Sequence, residues 1–108
     1  MPLDTPRKVG SIQEFEELVQ TSPVPVLVDF WAPWCPPCRA VAPELDKLAK
    51  QKHGETVVAK VDTEALPALA ARYGIRSIPT FVLFTNGRER QRVSGAQPAT
   101  ALTQTFKL

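Results

Sequence analysis

The sequence is poor in the residues that hold metal ions. Its 108 residues include two cysteines and one histidine, His53. A zinc site takes about four ligands, and beyond the two thiols the chain offers only His53 and ordinary carboxylates. We therefore expect no bound metal and interpret His53 as a surface residue. A chain of this length can bury a hydrophobic core without structural disulfides. Both cysteines are therefore available for a functional role.

Long apolar stretches are also absent. The longest, residues 24–31, is interrupted by Pro25 and Asp29 and falls well short of the roughly 20 apolar residues of a membrane span. The first ten residues contain two prolines and no apolar run of the kind that a signal peptide needs. We therefore expect a soluble cytoplasmic protein with no membrane partner.

The chain lacks a cluster of basic residues. Its net charge is +2, from 13 Lys and Arg against 11 Asp and Glu. The densest basic stretch, Arg88 to Arg92, alternates with Glu89 and Gln91, a pattern typical of the wet face of an exposed strand. No nucleic-acid partner is expected.

The patterns that are present indicate one α/β domain spanning residues 1–108, since strand-like and helix-like segments alternate. Ser11-Ile12-Gln13-Glu14 has the spacing of a capping box, which predicts a helix starting at Ile12. Residues 26–31 and 57–61 have the near-continuous apolar character of strands covered on both faces. The helical stretch between them, from about Cys35 to Lys52, makes a right-handed crossover that places the two strands parallel.

The second half of the chain predicts a change of direction. A short helix over Leu66 to Tyr73 is followed by two strands that flank Asn86-Gly87, a strong signal for a tight antiparallel hairpin. Pro98 opens a final helix. The strand-like segments are 7–9, 26–31, 57–61, 80–85 and 89–94. The expected architecture is a mixed five-stranded central sheet flanked by four helices.

The segment Trp34-Cys35-Pro36-Pro37-Cys38 follows the central strand and opens the long helix. It therefore lies at the carboxyl end of that strand, where sites of α/β proteins are usually found. A zinc site, a structural disulfide and a redox pair are the alternatives. A structural bridge across two intervening residues would constrain the unfolded chain little. Residues three apart in a first helical turn bring their Cα atoms within the roughly 4.4–6.8 Å that a disulfide accepts. The short loop and the Cα spacing favour a redox pair that cycles between dithiol and disulfide.

The two cysteines have different expected roles. Cys35, as the helix N-cap, faces unpaired backbone N–H groups and the positive end of the helix dipole, which stabilise a thiolate. Cys38 lies one turn deeper and is expected to be more buried. Cys35 is therefore the predicted nucleophile, which attacks a protein disulfide to form a mixed disulfide, and Cys38 resolves it.

The segment from Trp31 to Arg39 resembles the active-site segment of the thioredoxin family, and further matches follow in the family's order and spacing over nearly the whole chain. These are Asp29, Pro43, Lys60, Tyr73-Gly74-Ile75-Arg76, Ile78-Pro79-Thr80, Asn86-Gly87 and Gly95-Ala96. The resemblance implies the thioredoxin fold and reduction of cytoplasmic protein disulfides. It also implies re-reduction by a flavoprotein thioredoxin reductase that draws on NADPH, with no cofactor bound to the chain itself.

One feature departs from the family, which usually has Gly-Pro between its cysteines where this chain has Pro36-Pro37. Pro36 lacks the backbone N–H that glycine would present near the Cys35 sulfur, and a lost donor raises the pKa of that thiol. Two successive rings also stiffen the turn. We expect an altered redox potential and an altered fit to a reductase, with the reaction class unchanged.

The resemblance assigns supporting roles to other residues. Asp29, in an otherwise apolar strand, should have a raised pKa and is a candidate proton acceptor for Cys38; a structural aspartate is the alternative. Lys60, on the adjacent strand, pairs with Asp29 and modulates its pKa, or is an ordinary solvated lysine. Pro79 resembles the family's cis-proline, whose role is to shape the groove and let the Ile78 backbone pair with an extended substrate; a plain turn proline is the alternative.

The expected substrate surface and the remaining alternatives complete this interpretation. The predicted apolar contact surface around Cys35 consists of Trp34, Ile78, Gly95 and Ala96. The chain is expected to be a monomer. An oxidase or isomerase would need a more strongly stabilised thiolate and an oxidising compartment. A non-catalytic binding subunit with incidental cysteines is the alternative from a different class.

Overall fold

Residues 4–108, which the computed structural model describes, form five strands and four helices. Their bounds are β1 Arg7–Lys8, α1 Ile12–Thr21, β2 Val26–Trp31, α2 Pro36–Gln51, β3 Val57–Asp62, α3 Pro67–Arg72, β4 Thr80–Thr85, β5 Arg88–Ser94 and α4 Ala99–Phe106. The expected α/β class and element count are confirmed. None of the helices within these residues is both long and apolar enough to cross a membrane.

The strands form one sheet in the order β1-β3-β2-β4-β5. The pairs β1–β3 and β2–β3 are parallel, and the pairs β2–β4 and β4–β5 are antiparallel. The α2 crossover between β2 and β3 accounts for the parallel pair, and the hairpin accounts for the last antiparallel one. The predicted mixed sheet is therefore confirmed.

Each face of the sheet is covered by a separate apolar cluster, which explains why β2 is buried from Val26 to Phe30. Val28 and Phe30 belong to the cluster under α1 and α3, where the rings of Phe15, Tyr73 and Phe84 meet edge-on with centroids 5.2 to 5.7 Å apart. Leu27 belongs to the cluster under α2 and α4. Since side chains alternate along a strand, Asp29 and Trp31 share the α2 face with Leu27.

The β4–β5 hairpin ends the sheet with a charged edge. Its turn has positive φ at both central positions, 52° at Asn86 and 78° at Gly87, as a two-residue hairpin of matching twist requires. The register shifts between Leu83 and Phe84, so the pairing is bulged. Six of the seven β5 residues are exposed, and Arg88, Glu89, Arg90 and Arg92 supply its charges.

The capping box at the start of α1 yields a first testable prediction. Ser11 Oγ accepts a hydrogen bond from Glu14 N–H at 3.0 Å, as expected. Glu14 Oε1 accepts from Gly10 N–H at 2.9 Å, one residue outside the expected partner. Ser11→Ala should lower the free energy of unfolding in urea by about 1 kcal/mol. Ser11→Asn, which keeps a capping oxygen, is the control, and equal losses in both variants would contradict the capping role.

Candidate functional site

Cys35 and Cys38 lie where β2 leads into α2. Cys35 is the N-cap of α2, with extended backbone at φ −87° and ψ 111°. The two residues form a disulfide with their Cα atoms 5.2 Å apart. The first helical turn therefore places the two Cα atoms within the roughly 4.4–6.8 Å that a disulfide accepts.

The burial of the two cysteines differs from the expectation. Cys35 is 3% exposed and Cys38 is 2% exposed, so whole-residue exposure does not distinguish an outer from an inner cysteine. Both belong to a small apolar cluster with Ala32, against which Trp31 and Ile78 pack. Packing against these neighbours is a tertiary effect that helix position alone does not reveal.

The helix start offers the Cys35 sulfur one backbone donor. Cys38 N–H donates to Cys35 Sγ at 3.2 Å, and Arg39 N–H is already used by Cys35 O at 3.1 Å. Pro36 and Pro37 have no N–H. A capping side chain ordinarily accepts from the second or third helical residue. Cys38 is the third, so Pro37 occupies the position from which a second donor would reach the sulfur.

Restoring that donor should make Cys35 more acidic. In Pro37→Ala, a second N–H can reach the thiolate, and the pH midpoint of Cys35 alkylation in the reduced protein should fall by about one unit. The measurement is the rate of iodoacetamide reaction against pH. Pro36→Ala is the matched control and should shift the midpoint less, because its N–H is not at a capping position. A larger shift for Pro36→Ala would contradict this geometry.

Ile78 and Pro79 lie directly beside the disulfide. The peptide bond between them is cis, as the resemblance implied. Ile78 O lies 3.8 Å from Cys35 Sγ, and Pro79 is buried. Pro79 O accepts a hydrogen bond from Gly95 N–H at 2.8 Å, which brings the segment after β5 to the same place.

The remaining predicted contact residues form an exposed rim around this point. Trp34 is 63% exposed, the one large hydrophobic residue of residues 4–108 in that state. Gly95 and Ala96 are exposed as well, and Ile78 is half-buried. Aromatic and apolar groups exposed beside a reactive bond are suited to contacts with another protein.

Asp29 is the buried charged group of the site. It is 1% exposed, and neither carboxylate oxygen has a hydrogen-bond partner within residues 4–108. Burial raises the pKa of Asp29 to about 7, and the positive charge of Lys60 opposes this rise. A carboxyl group with this pKa can take or release a proton near neutral pH.

Lys60 lies opposite Asp29 in the β2–β3 register. Its ammonium group sits 4.5 Å from the centroid of the Trp31 ring, a cation–π contact. Among residues 4–108 no ion pair joins Lys60 to Asp29, so the expected direct pairing is wrong and only a longer-range effect on the pKa remains. From the sequence alone, Trp31 has no predicted contact with Lys60, although strand alternation places Trp31 on the face of Asp29.

A metal centre has no support in the described part of the chain. Residues 4–108 contain no group of three or more His, Cys, Asp or Glu side chains arranged to share an ion. The site described above consists of the sulfur pair, the buried carboxyl group and the apolar rim.

Comparisons with known proteins agree with this site. The sequence model of the family described as Thioredoxin matches residues 7–107. Thioredoxin 1 of a Nostoc species is 53% identical over 93 residues, which are 86% of this chain and 87% of that protein. A chloroplastic M-type thioredoxin of Spinacia oleracea is 46% identical over 86% of this chain and 51% of its own greater length. The solved structure of a mutant thioredoxin from Halobacterium salinarum has a TM-score of 0.88 at 34% identity, covering 99% of this chain and 92% of that one.

Proposed function

The chain belongs to the thioredoxin family and is a thiol-disulfide oxidoreductase that reduces protein disulfides, and from this premise we propose how it receives and passes on electrons. A flavoprotein thioredoxin reductase supplies them from NADPH, and the chain itself holds no cofactor. The observation that supports this most is the Cys35–Cys38 disulfide at the start of α2, since a bridge in that position opens and closes with little backbone movement.

In the proposed cycle, the Cys35 thiolate attacks one sulfur of a substrate disulfide, and the other substrate sulfur leaves as a thiolate. Cys38, once deprotonated, attacks Cys35 Sγ in the mixed disulfide and releases the second substrate sulfur. The substrate gains two electrons and two protons, and the Cys35–Cys38 disulfide is the oxidised product. The reductase then returns two electrons to the pair.

Asp29 is the proposed acceptor of the Cys38 proton during resolution. The support is its burial on the face of β2 that α2 covers, together with a pKa of about 7. Lys60, held on the Trp31 ring, keeps that pKa from rising further.

Trp34, Ile78, Pro79, Gly95 and Ala96 are the proposed contacts of the protein substrate. Within residues 4–108, the Ile78 backbone forms no hydrogen bond with another backbone group, so it is available to pair with an extended substrate segment. The main-chain pairing supplies affinity with little sequence preference, which suits a general reductant.

We further propose that the protein works in a reducing compartment, the cytoplasm, where thiols are kept reduced. The test is to trap its thiols by alkylation in intact cells and to locate the tagged full-length chain by microscopy. A mainly reduced pair in the cytoplasm supports the proposal, and a mainly oxidised pair or a location outside the cytoplasm contradicts it.

Insulin reduction tests the electron supply. With NADPH and thioredoxin reductase the purified protein should reduce insulin through many turnovers, and with dithiothreitol it should accelerate the same reaction. Turnover with dithiothreitol alone would contradict the reductase as donor. Equilibration of the Cys35–Cys38 pair with glutathione buffers measures the potential, and a strongly reducing value is expected for an electron donor to proteins.

A further inference from the structure

Glu44 joins the helix that carries the cysteines to the start of α4. Its Oε1 accepts a hydrogen bond from Ala99 N–H at 2.9 Å, although the two residues are 55 positions apart. Its Oε2 accepts from Lys47 Nζ at 3.0 Å. The N-cap of α4 is Pro98, which makes no side-chain capping hydrogen bond. Glu44 therefore satisfies an N–H that α4 cannot satisfy itself.

The segment 95–98 between β5 and α4 is held at both ends. At one end Gly95 N–H donates to Pro79 O at 2.8 Å, next to the disulfide. At the other end Glu44 holds Ala99. A crevice of about 290 Å³ separates the segment from α2, lined by Ala40, Val41, Glu44, Ala96, Gln97 and Pro98. Within residues 4–108, the Glu44–Ala99 hydrogen bond is the polar contact that spans this gap.

Given the proposed function, on which this inference rests, we propose that Glu44 is a positioning residue for protein substrates. By holding Ala99, it fixes segment 95–98 relative to the start of α2, so that Gly95 and Ala96 meet the substrate at a set distance from Cys35. The hydrogen bond from Ala99 and then the one from Lys47 lower the pKa of Glu44. The acceptor is therefore a carboxylate at neutral pH.

The proposed effect is selective for large substrates. A protein disulfide is flanked by polypeptide that must lie against Gly95 and Ala96. If segment 95–98 is loosened, it has to be ordered when the substrate binds, at an entropic cost. A small disulfide such as hydroxyethyl disulfide brings its sulfur to Cys35 without that surface. Loss of the Glu44 contact should therefore raise KM for the protein substrate and leave the small disulfide unaffected.

The test compares four variants with the wild-type protein, with dithiothreitol as donor so that the result is independent of any reductase. Glu44→Val should raise KM for insulin about fivefold to tenfold, the cost of ordering one further backbone residue, with kcat nearly unchanged. Glu44→Asp, whose shorter side chain cannot reach Ala99, should do the same. Glu44→Gln keeps an acceptor oxygen and should stay near wild type. Lys47→Ala, which leaves the Ala99 hydrogen bond in place, is the matched control and should also stay near wild type.

Reduction of hydroxyethyl disulfide separates positioning from a general loss of structure. All four variants should reduce it at the wild-type rate. An unchanged insulin KM in both Glu44→Val and Glu44→Asp would overturn the proposal, as would equal losses on insulin and hydroxyethyl disulfide. A Glu44→Gln protein as impaired as Glu44→Val would also overturn it, because the hydrogen bond would then not be the cause.

Discussion

Cys35→Ser is expected to lower the rate of insulin reduction by more than about 1,000-fold, since a serine hydroxyl at neutral pH is neither ionised nor comparably nucleophilic. The fold should survive, because serine is nearly the size of cysteine and the site sits at a helix N-cap, where serine is favoured. The measurement is the initial rate of insulin reduction with dithiothreitol and, separately, with NADPH and thioredoxin reductase.

Cys38→Ser is the matched variant, because it removes resolution and keeps the first attack. It should accumulate as a one-to-one mixed disulfide with a protein substrate, detectable by mass spectrometry, and Cys35→Ser should form none. This pair of results matters because the two cysteines are equally buried in the disulfide form. Trapping by Cys35→Ser but not by Cys38→Ser would reverse the assigned roles.

Asp29→Asn is expected to stabilise the protein at alkaline pH. The pKa of Asp29 is about 7 in the folded protein against 3.8 for an aspartate exposed to water, so the folded state binds more protons than the unfolded state between these values. Folding stability therefore falls as pH rises through this window. The full difference corresponds to roughly 4 kcal/mol, so Asp29→Asn should exceed wild type by about that amount at about pH 9 and match it below about pH 3.

Urea unfolding of the oxidised protein across this pH range is the measurement. The difference between the wild-type and Asp29→Asn curves cancels the other titrating groups. Asp46→Asn, at an exposed position on α2, is the control and should change stability by less than about 0.5 kcal/mol. If the wild-type and Asp29→Asn profiles run parallel, Asp29 does not titrate in this window.

The same substitution should slow resolution of the mixed disulfide. Removing a general base costs on the order of 100-fold in the step that it assists. Stopped-flow measurement of release from a preformed mixed disulfide at pH 7 isolates that step. Faster release above pH 9 would be expected in Asp29→Asn, since solvent hydroxide then deprotonates Cys38. An unchanged rate at pH 7 would remove Asp29 from the mechanism.

Local physical chemistry explains which parts of the fold were predictable. The capping box placed the start of α1 at Ile12, and Asn86-Gly87 placed the hairpin, because both signals depend on neighbours within four residues. The parallel pairing of 26–31 with 57–61 followed from the helical crossover between them, and the structure extends the second strand by one residue to Asp62. The cysteine pair at the N-cap of α2 was predictable because it, too, depends only on residues within one helical turn.

The features that escaped prediction depend on contacts between distant parts of the chain. Lys60 rests on Trp31 instead of pairing with Asp29, a choice that only the packed sheet face determines. Cys35 is covered by Ile78, 43 positions away. In the sequence alone, Glu44 is an ordinary helix residue. The hydrogen bond that it accepts from Ala99 N–H becomes evident only when α4 is placed beside α2. A sequence pattern shows the hydrophobic period of a helix or strand. It does not show which side chains of another element that helix or strand will contact.

The charged outer strand β5 also limits how molecules of this protein can meet. A second copy pairing antiparallel about Gln91 would set Arg90 of each chain against Arg92 of the other, and the bulge opposite Leu83 and Phe84 would break the straight ladder that such growth needs. A strand exposed on another chain therefore finds a poor template on this side of the sheet. The β5 edge disfavours the edge-to-edge pairing through which the sheets of separate molecules join into fibrils.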